Sequence, residues 1–289
     1  MNLPAQTLNL IGCGRVGQTL ARLWTQQRTL ALHDVCTTHL DRAQAAVALV
    51  GAGHAVDVLA TMRPAPLWML AVPDAQLPSV AQALAQEQRH APPALVFHCS
   101  GALDTQVLEP LRAIGWQVAS AHCILSFASV PAAVQQFPGT PCALEGDAAA
   151  VATLRPLFSA IGAQCFDVAS ADKLRYHAAA VFATNFLPVL QTVAEDLWLS
   201  SGVPRALIAG LRASLLRNAV DNITRLGPQA ALTGPAARGD TAAITRQAQA
   251  LHTYDPQVGA AYEALSALAL RIAATPASPP AARPHPTAP

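Results

Sequence analysis

Leu8-Asn9-Leu10-Ile11-Gly12-Cys13-Gly14-Arg15-Val16-Gly17 decides how this chain is read. An apolar run ends in a glycine, two further glycines follow within five residues, and behind them Leu20, Leu23 and Trp24 recur at helical spacing. Glycine has three uses here: in a tight turn, where backbone must approach a pyrophosphate, and where a helix packs closely on a strand. The helix N-terminus then faces the phosphates. The stretch predicts strand, phosphate-binding turn and helix, the opening βαβ unit of a dinucleotide-binding sheet.

Working outward, TLALHDV (29–35), LWMLAVP (67–73), ALVFHCS (94–100) and QVASAHC (117–123) are further apolar runs, separated by Ala/Leu/Gln-rich segments of helical length. That alternation predicts parallel strands covered on both faces. A weaker continuation follows: PCALEG (141–146), a helix through Leu154 and Phe158, and AQCFDV (163–168). From Ala171 to about Ala274 only helical periodicity remains, broken at Gly202-Val203-Pro204, Gly227-Pro228 and Gly234-Pro235. The expected fold class is α/β, with a doubly wound, mostly parallel sheet over residues 1–168. An all-helical domain for substrate binding and dimerisation follows over 169–274, and then a proline-rich tail, 275–289, too poor in large apolar groups to pack. A second G-x-G, Gly51-Ala52-Gly53, has Val56 where the third glycine belongs and is assigned to a loop.

Composition removes several partners. Eighteen basic residues face 17 acidic ones, net +1, with no block of like charge, which argues against nucleic acid and against an anionic membrane surface. Six cysteines without a CxxC pair, no metal-ligand spacing and no secretory leader point to a reducing, cytoplasmic setting with no metal. The cysteines read as core residues, none having the basic neighbours that mark a thiolate nucleophile. The most apolar stretch, Ala178–Ala194, contains Asn185, Pro188 and Gln191 and reads as a buried helix and not a membrane span.

The end of the second strand chooses the nicotinamide cofactor: a carboxylate there takes the ribose of NAD, and a cationic or hydroxyl-lined pocket takes the 2′-phosphate of NADP. Asp34 favours NAD if it is the tip; Thr37, Thr38 and Arg42 favour NADP if the tip is Cys36. The position about twenty residues beyond the last glycine is Cys36, which favours NADP. The cofactor set is then Gly12, Cys13, Gly14, Arg15, Val16, Gly17, Cys36, Thr37 and Thr38. To these are added Val72 and Pro73 after the strand at 67–73, and Ser100 and Gly101 after the strand at 94–100, since ligands lie beyond the carboxyl ends of parallel strands.

GCGRVG, AVPD, HCSGAL, AHCILSFA, DKLRYHAAAVFATN and LTGPAARGD occur in this order. With them the chain, from Leu8 to about Ile272, resembles bacterial proteins that join a Rossmann-like domain to a helical domain of unknown function. These belong to the wider group of pyrroline-5-carboxylate reductases, ketopantoate reductases and β-hydroxyacid dehydrogenases. The resemblance implies an NADP-dependent oxidoreductase that dimerises through its helical domain. It also implies that the helix carrying Lys173 faces the nicotinamide. Two departures stand out: His122-Cys123 where relatives carry His-Pro, and Cys36-Thr37-Thr38 where they carry a Ser-Arg-Ser-like strand end.

Seventeen of the 18 basic residues are arginine, and the single lysine is Lys173. On one predicted helix His177 and Asn185 follow it by four and eight residues, on one broad face, with Tyr176 beside them. Hydride transfer to a carbonyl or imine asks for a proton or a positive charge at the acceptor, and a buried lysine is titratable where arginine is not. The expected catalytic set is Lys173 as acid or electrostatic stabiliser, His177 as proton relay and Asn185 as orienting group. His122, Ser126, Tyr176, Thr233 and Arg238 are expected to contact substrate, the last as a two-point clamp on a carboxylate or phosphate. The function expected is transfer of hydride between NADP(H) and a small carbonyl, imine or hydroxyacid lying between the domains. A non-catalytic dinucleotide sensor or assembly protein, and a cyclic imine reductase of pyrroline-carboxylate type, stay open as alternatives.

Overall fold

The structure, a computed structural model, describes residues 6–275, so the tail read from the sequence lies, from residue 276 on, outside the described residues. The chain divides into two compact units that meet in sequence between Thr184 and Asn185.

The first unit is one eight-stranded sheet in the order β3-β2-β1-β4-β5-β6-β7-β8. The strands are β1 (Gln6–Ile11), β2 (Leu30–Cys36), β3 (His54–Val56), β4 (Leu67–Leu70), β5 (Leu95–His98), β6 (Gln117–Cys123), β7 (Pro141–Gly146) and β8 (Gln164–Asp167). Neighbours are parallel except β6 and β7. All residues of β4 and β5 are buried, the mark of central strands covered on both faces. On one face α1 (Arg15–Gln26) and α6 (Ala148–Ala160) bring Trp24 and Phe158 edge-on to each other and to Phe97, with centroids 5.2–6.4 Å apart. On the other, α3 (Leu77–Glu87) and α4 (Glu109–Arg112) pack over a core holding Trp68 and Trp116. Strand order reverses at β1/β4, so the crevice for a ligand opens beyond Ile11 and Leu70. The strand β3 has no counterpart in the sequence reading, because three residues are too few to show a period. Gly51, at φ +83°, ends α2 (Leu40–Val50) in the left-handed region, so the second G-x-G is indeed a loop.

α7 (Lys173–Ala180) belongs to this first unit, although the periodicity placed it at the start of the helical part. Its first residue, Lys173, is buried and bonded to the sheet. The expected continuous helix is interrupted by a π turn, Val181–Asn185, before α8 (Phe186–Ser200). Arg205–Leu226 (α9), Thr241–Tyr254 (α10) and Pro256–Ala274 (α11) complete the second unit, in which α8 packs on α9 and α10 on α11.

The expectation of a buried apolar helix is corrected. By length and composition the helical run Ser170–Ser200 is long and apolar enough to cross a membrane, and none of its most apolar window is buried. Among the described residues, none covers that window.

Candidate functional site

The glycine turn has the shape its spacing predicts. Gly12 sits at φ +78°, and a Cβ there would fall 2.5 Å from Val72 Cγ1 and 2.7 Å from the Ala71 carbonyl oxygen. At Gly17 a Cβ would fall 3.0 Å from that of Ala71, so this glycine lets α1 lie against the sheet. Gly14 is different: it is the N-cap of α1, no side chain caps that end, and nothing lies within 4 Å of where its Cβ would be. The first amides of α1 therefore face open space with their hydrogens uncommitted to a side-chain cap, the arrangement that receives an anion. Gln18 Nε2 donates to the Cys13 carbonyl at 2.8 Å, and the Gly12 amide donates to the Cys36 carbonyl at 2.8 Å, fixing the turn against the end of β2.

A cavity of about 380 Å³ opens beside the turn. Of the residues expected at the cofactor, Gly12, Cys13, Gly14, Cys36, Thr37, Thr38, Val72 and Pro73 line it; Arg15, Val16, Gly17, Ser100 and Gly101 do not. Arg15 instead donates to the carbonyls of Phe127 and Ala128, at 3.1 Å each, and ties the turn to the loop after β6. Arg42 and Asp57 add one positive and one negative group to the lining. Asp57 was missed because it follows the unrecognised strand β3.

Asp34 takes no part in this cavity. It is fully buried inside β2, where its carboxylate accepts from the Arg63 backbone amide at 2.7 Å and from the Arg63 guanidinium, Nε at 3.0 Å and Nη2. Burial alone would raise its pKa, but the Arg63 hydrogen bonds and charge outweigh it and hold the group below the usual carboxylate range. The tip of β2 is Cys36, followed by Thr37 and Thr38.

A second cluster forms beyond β4, β5 and β6, where α7 lies over the strand ends. Lys173 is 3% exposed. Its ammonium donates to the Ser100 carbonyl at 3.1 Å and to Ser120 Oγ, and it lies 3.9 Å from Glu145 Oε2. Burial lowers its pKa, and the carboxylates of Glu145, Asp104 and Asp74 oppose that shift. Glu145 is itself buried; its other oxygen accepts from Thr105 Oγ1 and Ser170 Oγ, both at 2.7 Å. Ser100 Oγ donates to Asp74 Oδ2 at 2.8 Å and accepts from the amides of Ala102 and Leu103. Lys173 thus underpins the Ser100-Gly101 turn with its donors directed into the protein.

Above that turn stand two histidines. His122 Nδ1 lies 2.8 Å from the Tyr176 hydroxyl, and the His122 and His177 rings meet edge-on with centroids 5.5 Å apart. Burial, with the neighbouring His177 and Lys173, drives the His122 pKa down to about 4 against the opposing pull of Asp74, so the ring is neutral near pH 7. His177 Nδ1 is buried and has no hydrogen-bond partner among the described residues. A Cβ on Gly101 would fall 2.4 Å from His177 Nδ1 and 2.8 Å from His122 Nε2, so only glycine lets both rings come this close.

The structure thus brings together Ser100, Gly101, His122, Lys173, Tyr176 and His177, and with them Asp74, Ser120 and Glu145, which the sequence did not single out. Ser126 is exposed in the loop after β6. Asn185 closes the π turn and begins the second unit, and that turn removes the α-helical spacing that grouped it with Lys173. Thr233 and Arg238 are exposed in the second unit, and Asp240 caps α10, accepting from the Ala243 amide at 2.9 Å. Burial raises the thiols of Cys13 and Cys99 to about 12 and that of Cys36 to about 11, so none of the three is a thiolate near pH 7. Among the described residues no group of three or more His, Cys, Asp or Glu is placed to hold a metal ion.

Comparison with known proteins agrees with this architecture. Residues 2–123 match the family model of the Rossmann-like domain, and residues 140–269 match that of a domain of unknown function, DUF2520. Among solved structures, protein TM1727 of Thermotoga maritima is 23% identical with a TM-score of 0.71, covering 92% of this chain and 98% of its own. A Bacteroides fragilis protein bearing the name "putative NADP oxidoreductase" is 22% identical with a TM-score of 0.72, at the same coverage. Pyrroline carboxylate reductase of Plasmodium falciparum, solved with NADP bound, is 13% identical with a TM-score of 0.56, covering 93% of this chain and 98% of its own. At these identities the likeness is one of fold. No curated protein matches the chain.

Proposed function

From a chain that carries a Rossmann-like domain followed by a DUF2520 domain, we propose an oxidoreductase that transfers hydride between NADP(H) and a small carbonyl, imine or hydroxyacid. The observation that carries the reading is the pairing, on one sheet, of the uncapped Gly12-Cys13-Gly14 turn and its cavity with the histidine cluster beyond the next strands. The amides at the start of α1 hold the pyrophosphate, and the empty space at Gly14 is where backbone and phosphate approach. Thr37, Thr38 and Arg42 take the 2′-phosphate, since the one carboxylate that would favour a bare ribose from within β2, Asp34, is consumed by Arg63. Val72 and Pro73 bound the cavity on the side of β4. The names of the Bacteroides and Plasmodium proteins support NADP as the cofactor.

When bound, the dinucleotide supplies or accepts the hydride. The protein's task is then the proton. Lys173 was the first candidate for it, but its ammonium is directed at Ser100, Ser120 and Glu145. We therefore assign Lys173 to positioning the Ser100-Gly101 turn, and proton transfer to the histidines that stand over it, His122 of β6 and His177 of α7. Quenching of intrinsic fluorescence on titration with NADPH and NADH tests the reading. NADPH is expected to bind at least about tenfold more tightly than NADH, and binding of neither at millimolar concentration would sink the proposal.

A further inference from the structure

The cavity beside the glycine turn carries two charged side chains that the protein itself leaves unused. Arg42 and Asp57 both line it, and among the described residues neither side chain has a hydrogen bond or an ion pair, with the other or with any third group. Asp57 is exposed and comes one residue after β3. Register pairs Cys36 with Val56, and the Thr37 amide donates to the Val56 carbonyl at 3.3 Å, so Asp57 leaves its strand beside Thr37 and Thr38. Two residues on, Leu59 joins Val72 and Val80 in the partly buried apolar group packed on the core beneath α3, and all three line the same cavity. One cavity thus offers an apolar wall, a cation and a carboxylate that does not meet the cation.

An occupant that matches all three offers an apolar ring face, an anion and a hydrogen-bond donor. The adenosine half of NADP has them in its purine ring, its 2′-phosphate and the amino group at position 6 of the base. That half is the one that reaches this wall. The pyrophosphate belongs at the start of α1, beyond β1, so with strands in the order β3-β2-β1-β4 the adenosine extends towards β2 and β3 and the nicotinamide towards β4. A carboxylate only accepts: it repels the 2′-phosphate and suits the amino group. A guanidinium only donates, and suits the phosphate.

We infer that Asp57 reads the base of the dinucleotide, its carboxylate accepting from the 6-amino group of an adenine laid on Leu59 and Val80, while Arg42 separately reads the 2′-phosphate. This rests on the dinucleotide reading and adds to it a selection for adenine over a 6-oxopurine. At position 6 such a base turns an oxygen towards Asp57, acceptor against acceptor, where adenine turns a donor.

Fluorescence titration of the full chain tests this with three probes: NADPH, NADH, and reduced nicotinamide hypoxanthine dinucleotide phosphate, which carries the 6-oxo base in place of adenine. The parent protein is expected to bind NADPH about ten- to hundredfold more tightly than the hypoxanthine form, the effect of losing one hydrogen bond to a charged group. In Asp57→Asn the side-chain amide can turn its oxygen to an amino group or its nitrogen to a 6-oxo group, so that ratio should fall to within about threefold. Arg42→Gln should do the reverse, lowering the preference for NADPH over NADH at least about tenfold and leaving the ratio between the bases as it was. Equal affinity of the parent for the two bases, the result if Asp57 took a ribose hydroxyl instead, overturns the inference and leaves the dinucleotide reading intact. So does a base preference that survives Asp57→Asn, or one that is lost in Arg42→Gln. Binding of no dinucleotide removes both. Both side chains are exposed, so the variants should melt within a few degrees of the parent, and the comparison of bases on the parent stands without them.

Discussion

Lys173 and Glu145 are both buried, and their opposite charges lie 3.9 Å apart. Deleting one charge strands the other in a medium where it cannot be solvated, a loss of about 3–5 kcal/mol, whereas removing both can be close to neutral. Lys173→Met is therefore expected to destabilise the protein by about that amount. Adding Glu145→Gln should restore a large part of it, because glutamine still accepts from Thr105 and Ser170. Urea unfolding of the four proteins checks this, and strictly additive losses would contradict the pairing. Lys173→Arg keeps the charge but brings a planar fork into the narrow space between Ser100, Ser120 and Glu145, and should cost stability as well as activity. His98 gives a second prediction at this scale. Its Nδ1 accepts from the Ser100 amide at 3.1 Å and its Nε2–H donates to the Asp104 carbonyl at 3.2 Å, so the neutral ring is fully satisfied. Burial and the charge of Lys173 lower its pKa from 6.5 to about 3. The unfolded chain binds a proton below pH 6.5 that the folded protein refuses. Stability is thus full above that pH and falls as pH drops towards 3, by up to about 1.4 kcal/mol per pH unit. His122, with its pKa lowered to about 4, adds to the same slope. Urea midpoints measured from pH 7 to 4 should fall accordingly, and His98→Gln should flatten the curve.

At the scale of elements, the turn between β1 and α1 separates folding from binding within three residues. Gly12→Ala forces a left-handed backbone onto alanine and drives its methyl into Val72 and the Ala71 carbonyl. It should lower the melting temperature as well as abolish NADPH binding. Gly14→Ala meets no protein atom and has an ordinary φ of −72°. Its melting temperature should change by no more than a few degrees, while the NADPH Kd rises at least tenfold as the methyl enters the phosphate's space. Equal loss of stability in both variants would contradict this division. This turn was legible in the sequence because backbone geometry dictates residue type there, and glycine at a positive φ leaves a mark that spacing alone can recover. Strand ends beyond β4, β5 and β6 were legible for a related reason, since parallel strands place their following loops on one edge. What the sequence could not show is chosen by distant packing. Glu145 reads as one acid in a weak apolar run, and only the register of β7 against β6 brings it opposite Ser120 and under Lys173. The sequence leaves the role of Asp34 open between strand tip and strand interior, because its partner, Arg63, comes from a loop with no periodicity. Spacing also assumed one continuous helix through Lys173, His177 and Asn185, and the π turn at Val181–Asn185 breaks that arithmetic.

For the whole molecule the open question is what covers the apolar helices. Leu187, Val189 and Leu190 on α8 and Leu215, Val220 and Ile223 on α9 are all at least 41% exposed, far more apolar surface than a monomer usually leaves in water. A bilayer is a poor partner for it. The apolar run starts at Ser170, and its Lys173 is buried against the sheet, so a span using the full run would have to release that ammonium from Ser100, Ser120 and Glu145. The same run carries Glu195 and Asp196 in its last turns, where a span would place both carboxylates in or beside hydrocarbon. A second copy of the chain meets neither objection, because an isologous contact buries the same helices twice and leaves their polar positions at its rim. The protein is therefore expected to sediment at twice the chain mass at micromolar concentration without detergent. Leu190→Asp combined with Ile223→Asp places a charge on each of the two helices and should shift the sedimenting species to the monomer, with NADPH binding retained because the cavity at Gly12 lies wholly in the first unit. A wild-type monomer at tens of micromolar, or a protein recovered only in detergent, would refute the dimer.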